Sequence, residues 1–131
     1  GLYDKFLKDE KLAPLARIKA VYTFRIDILV HRFQYKKGCL LNGMSQEMAE
    51  HSEPIAEATA TGLDMIYTQI EQTLQEAQMK GTLNKHRNTR NLAVFIENSY
   101  RGAMVVSKSF KNREALDIFM QLLESDLLPA P

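Results

Sequence analysis

Apolar residues recur along this chain at intervals of three and four, and no stretch alternates as a strand does. Pro14, Gly38, Pro54, Gly81 and the tail Pro129 to Pro131 punctuate the pattern and separate the helical stretches. The spacing predicts an all-α fold: a helical bundle of about six helices near residues 2–10, 14–36, 39–50, 53–80, 87–109 and 112–128, in one domain spanning 1–131 with residues 129–131 as a tail.

The second helix is apolar on two sides. Leu15, Ile18, Tyr22, Ile26, Leu29 and Phe33 share one face at 100° per residue, and Val21, Phe24, Ile28 and Tyr35 share nearly the opposite one. Such a helix is sandwiched between neighbours. Its edges carry Arg25 and Arg32 on one side and Asp27 and His31 on the other, so polar groups enter the interior and need partners there.

The long helix near 53–80 has an N-cap candidate in Ser52, an acid in its first turn in Glu53, and Pro54 where a missing N–H costs nothing. Leu63, Ile66, Ile70, Leu74 and Ala77 make a single stripe until Gly81 stops it. This helix is expected to cover the core from one side.

On the last two helices the apolar arc widens to roughly 200°, against the ~100° of an ordinary amphipathic helix. One small domain does not readily cover both arcs, so a second copy is expected to complete a four-helix bundle from the two terminal helices of each chain. The expected dimer contacts are Leu92, Ile96, Tyr100, Ala103, Met104, Leu116, Phe119, Met120, Leu123 and Leu127. Ser99, Gly102, Ala103 and Ser107 are small enough to let helices approach closely.

Composition narrows the function. The 131 residues carry 17 basic and 16 acidic side chains, a formal net charge of +1, without the basic excess of a self-sufficient nucleic-acid binder. A single cysteine forms no internal disulfide, and no stretch reaches the ~20 apolar residues that cross a bilayer. With no apolar run behind a basic head at Gly1, a cytoplasmic, reducing setting is expected.

Catalytic signals are weak: Glu47 and His51, like Asp27 and His31, are helical pairs of the kind surface salt bridges make. There is no paired-histidine zinc motif, Cys-x-x-Cys or glycine-rich phosphate loop. No enzyme activity, metal or cofactor is therefore expected. The basic cluster Lys85, His86, Arg87 and Arg90 lacks aromatic interleaving and reads as a solvated loop and helix start.

Converging aromatic and methionine side chains instead point to an adaptable apolar cavity, with Tyr22, Ile26, Phe33, Met44, Met48, Met65, Ile66, Phe95 and Ser99 as its candidate lining and Arg25, Asp27 and His31 as candidates for a polar end. Each of these is also an ordinary core or surface residue. Cys39 follows Lys36 and Lys37 in the first turn of the short helix, where the dipole and the ammonium groups favour thiolate. The commoner reading of a cysteine in such company is a small buried hydrophobe beside Leu40 and Leu41.

Several pieces occur in a telling order: Leu12-Ala13-Pro14-Leu15-Ala16-Arg17-Ile18, Gly38-Cys39-Leu40-Leu41-Asn42, Ser52-Glu53-Pro54-Ile55, Ala77-Gln78-Met79-Lys80-Gly81-Thr82-Leu83, and Phe95-Ile96-Glu97-Asn98-Ser99-Tyr100-Arg101-Gly102-Ala103. Together they resemble the C-terminal effector-binding and dimerisation region of TetR-family transcriptional repressors, in the branch that includes repressors responsive to N-ethylmaleimide and to acrylate. Tyr100 stands where relatives often have Trp.

The resemblance implies a homodimer that takes a small apolar or electrophilic effector in its helical core, around Tyr22, Arg25, Ile26, His31, Phe33, Cys39, Met44, Met48, Met65, Ile66, Phe95 and Ser99. It implies DNA contact only through an N-terminal helix-turn-helix absent from this sequence. Residues 1–10 are then expected to be the remnant of a linking helix, with about 50 preceding residues missing. The alternative from another class is a stand-alone helical interaction module without a small ligand.

Overall fold

The computed structural model describes residues 2–32, 34 and 53–129. Five helices run through them: α1 (Leu2–Leu7), α2 (Pro14–Asp27), α3 (Glu53–Met79), α4 (Thr89–Phe110) and α5 (Glu114–Leu122). The short helix expected near 39–50, with Cys39, Met44 and Met48 on it, lies outside the described residues, as does Phe33.

Local chemistry sets the helix ends. Pro14 opens α2, where its fixed φ suits the first turn. The stop of α3 at Gly81 is a paired one: Gly81 takes φ +77°, its N–H donates to the Gln78 carbonyl at 3.1 Å, and Thr82 N–H donates to the Ala77 carbonyl at 2.9 Å. Those two bonds satisfy carbonyls that the helix end leaves orphaned, in a conformation a Cβ resists. α4 begins two residues later than the periodicity predicts because Asn88, not the basic cluster, caps it, its side chain accepting from Asn91 N–H at 2.9 Å. Such a cap stabilises a helix by ~1 kcal/mol.

α2 and α5 each finish in a wide π turn, Ile28–Arg32 and Leu123–Leu127. A π turn bonds i to i+5, and the Leu128 N–H accordingly donates to the Leu123 carbonyl at 2.9 Å. The extra residue moves the core register, so Leu123 and Leu128 are both buried while Leu127 is only partly so. An ideal 3.6-residue period would have paired Leu123 with Leu127.

α2 is the sandwiched helix that its two apolar faces predict. It packs against α1, α3 and α5, burying Ile18, Val21, Tyr22, Ile26 and, in its π turn, Leu29. α3 adds Ile66, Ile70, Leu74 and Ala77, and α4 adds Leu92, Ala93, Ile96, Tyr100, Ala103 and Met104. Leu116, Phe119 and Leu123 close the core from the C-terminal end. Each large apolar side chain so buried contributes about 1.5–3 kcal/mol against chain entropy.

At the other end, Arg17 is 3% exposed and pairs with Glu76 of α3 at 2.7 Å. Lys80 reaches the other oxygen of the same carboxylate at 3.1 Å. The hydrogen bond from Arg17, reinforced by that from Lys80, holds the Glu76 carboxyl below the usual carboxylate range. No helix of the described residues is long and apolar enough to cross a membrane.

Candidate functional site

Among the described residues the interior holds a strongly polar knot. Glu97, in the middle of α4, is fully buried. Its Oε1 accepts from Tyr22 Oη at 2.8 Å and Arg25 Nη1 at 2.7 Å, and its Oε2 accepts from Arg101 Nε at 2.8 Å. Helical spacing delivers these groups: Tyr22 and Arg25 are three apart on α2, and Glu97 and Arg101 four apart on α4.

Three rings wall the knot. Tyr22, Tyr100 and Phe119 contact one another with centroids 5.2 to 5.7 Å apart. The Arg25 guanidinium lies over the Tyr100 ring at 4.1 Å from its centroid, within the reach of a cation–π contact.

Burial alone would push the Glu97 carboxyl up. The charge and hydrogen bond of Arg25, the charge of Arg101 and the Tyr22 hydroxyl outweigh it and hold the carboxyl below its ordinary value. The site is thus an ionised carboxylate clasped between two guanidiniums inside an aromatic wall. It ties α2 to α4 in one register.

The structure gathers Tyr22, Arg25 and Ile26 here, and it buries Ile66 in the same core. Other expected lining residues lie elsewhere. Met65 is 60% exposed, Phe95 is 59% exposed, His31 is on the surface, and Ser99 is half-buried beside an outward groove. Asp27, a candidate for the polar end, is likewise exposed. A 3.6-residue wheel cannot say which side of a doubly apolar helix faces inward.

The expected dimer contacts fall mostly in the protomer's own core. Leu92, Ile96, Tyr100, Ala103, Met104, Leu116, Phe119 and Leu123 are buried by their own chain, and Met120 and Leu127 are partly buried. The face of α4 that points away from the core carries Phe95, Ser99, Gly102, Val106 and Phe110, joined on α5 by Ala115, Ile118 and Leu122. Of these, Phe95, Val106, Phe110, Ile118 and Leu122 are large apolar side chains between 45% and 73% exposed. A groove of about 330 Å³ runs between the two helices, lined chiefly by Phe95, Ala103, Ile118, Phe119, Leu122 and Leu127.

Glu97 and Arg101 were not among the expected site residues, although a signal for them exists. Ala93, Glu97, Tyr100 and Met104 follow one another at intervals of three and four, so a carboxylate sits in an apolar stripe with a guanidinium one turn on.

Among the described residues no three His, Cys, Asp or Glu side chains come together in a way that could hold a metal ion. The tetracyclin repressor-like C-terminal domain model matches residues 14–123. The chain is 27% identical over 128 residues to the HTH-type transcriptional repressor DhaR of Mycobacterium sp. (strain GP1), covering 95% of this chain and 60% of that protein. It is 28% identical over 107 residues to the transcriptional regulator AcuR of Cereibacter sphaeroides, covering 82% of this chain and 48% of the relative.

Among solved structures, the regulatory protein TetR from Rhodobacter sphaeroides superposes with a TM-score of 0.87 at 25% identity, over 93% of this chain and 64% of the other. Reduced NemR from E. coli shares the fold, with a TM-score of 0.84 at 19% identity over 98% and 66%. The arrangement of helices and the match over 14–123 agree: the chain belongs to the family of tetracyclin repressor-like C-terminal domains.

Proposed function

We propose that this chain is the effector-sensing and homodimerising domain of a transcriptional regulator. The observation that carries the reading is the outward stripe of α4 and α5. The protomer closes its own core and still presents Phe95, Val106, Phe110, Ile118 and Leu122 on adjoining helices. Monomeric soluble proteins rarely leave such a patch uncovered, and two copies related by a twofold axis cover it as a four-helix bundle.

The effector is a small apolar or electrophilic molecule, received in the interior where Tyr22, Arg25 and Ile26 surround Glu97 and where Ile66 is buried. Phe33, Cys39, Met44 and Met48 complete its lining in this proposal. DNA contact belongs to a helix-turn-helix elsewhere in the whole regulator, in keeping with the name of the HTH-type repressor DhaR, of whose length this chain spans 60%. Binding at the core then alters the spacing of two DNA-reading heads, for which ~1 to 3 kcal/mol of coupling suffices.

Sedimentation equilibrium tests the dimer. The wild type is expected to be dimeric at micromolar concentration, and Ile118→Glu or Leu122→Glu to weaken association at least tenfold, about 1.4 kcal/mol, with far-UV circular dichroism unchanged. A wild-type monomer at that concentration defeats the reading. Mass spectrometry after exposure to N-ethylmaleimide decides between covalent sensing at Cys39 and reversible binding.

A further inference from the structure

α1 is six residues long, too short to hold helical form alone. Its C-terminal carbonyls have no partners within the helix and no glycine follows to turn the chain back on them. The Asp9 N–H, just past the helix, meets the Phe6 carbonyl at 3.3 Å, and another element serves the Leu7 carbonyl and the turn that follows. Arg17, one turn into α2, sends Nε to the Asp9 carbonyl at 2.8 Å and to the Leu12 carbonyl at 2.8 Å, and Nη1 to the Leu7 carbonyl at 3.5 Å. The same Nη1 meets Glu76 Oε2 of α3 at 2.7 Å. One buried side chain therefore touches the end of α1, the α1–α2 turn and α3.

We propose that Arg17 is a positioning residue that fixes the angle at which α1 leaves the helical body, acting as a helix C-cap supplied from outside the helix and braced on Glu76. The apolar contacts of α1 do not set that angle alone. Leu7 is anchored in the core, and Phe6 meets Phe24 at 5.2 Å with Lys5 beside both rings. Such contacts hold α1 against the body but tolerate rotation, because dispersion and apolar burial are not directional.

A guanidinium is directional. Its donors sit in a rigid planar fork, so the carbonyls and the carboxylate are fixed relative to one another. An ammonium on a flexible stem offers no such frame. Because Glu76 lies in the last turn of α3, a shift of that turn is carried to the start of the chain through Arg17. The joint works within one protomer, so its test is separate from those of dimerisation and effector binding.

Hydrogen exchange measured by mass spectrometry on the full chain checks the assignment. In Arg17→Met and in Arg17→Lys, exchange in the peptide covering residues 2–12 is expected to rise about tenfold or more, while the slowest α4 amides keep their wild-type protection. Glu76→Gln keeps an acceptor and loses the charge; a selective rise of several-fold at residues 2–12 is expected, and it keeps the test available if Arg17→Met does not fold. Wild-type protection in Arg17→Lys overturns the proposal, since charge without the fork then suffices. An equal rise in α1 and α4 overturns it too, reducing Arg17 to general stability. No rise in Glu76→Gln removes the brace.

Discussion

Glu97 is buried between the guanidiniums of Arg25 and Arg101. A buried ion pair contributes little net stability when compared with a well-packed apolar replacement, yet removing one partner costs ~3–5 kcal/mol. Glu97→Ala deprives Arg25 and Arg101 of the carboxylate they share, and is expected to lower unfolding free energy in urea by that order. The pH dependence has a definite sign. The folded carboxyl titrates below its unfolded value of about 4.5, so its stabilising contribution is full above that pH and drains as pH falls through the folded value. Glu97→Gln is expected to flatten the acid limb of a stability–pH curve; an unchanged slope below 4.5 contradicts this. Tyr22 and Arg25 were legible as site candidates because they lie on a helix apolar on two sides. Glu97 and Arg101 were not, because a charged pair four apart ordinarily reads as a surface salt bridge.

Helix ends were the most legible elements. Pro14 and Gly81 punctuate the sequence where the backbone turns, since each residue type has a local conformational reason to be there. Orientation was not legible on α4, whose arc is apolar on both the core side and the outer side. Periodicity reports that a helix has two apolar faces without saying which one its own chain covers, so the expected contact set named the inner face. Gly102 now separates the two faces experimentally. It is exposed in the middle of the outer stripe, and a Cβ there meets nothing within 4 Å in the protomer. Gly102→Ala is expected to stabilise the protomer by ~0.5–1 kcal/mol through helix propensity. If the second copy approaches closely at this point, the same substitution weakens the dimer, seen as a higher dissociation constant in dilution experiments. Tighter association in Gly102→Ala argues that the copies do not meet there.

At the scale of the molecule, the all-helical class and single core follow from the spacing of apolar residues. The ionic joints at Glu76 and Glu97 do not, because they join residues 59 and 72 to 75 positions apart that only packing brings together. The eight expected contact residues that the protomer itself buries, from Leu92 to Leu123, bear on assembly as well as on stability. A chain that buries them by itself is expected to fold without a partner, unlike an obligate dimer whose core is split between copies. Dilution below the dissociation constant is therefore expected to leave helicity by circular dichroism unchanged. Donor- and acceptor-labelled chains, once mixed, are expected to exchange at the dimer dissociation rate, faster than global unfolding; exchange as slow as unfolding contradicts this. In the proposed dimer the closed core is expected to let each protomer survive separation, meet a different copy and re-pair without being remade.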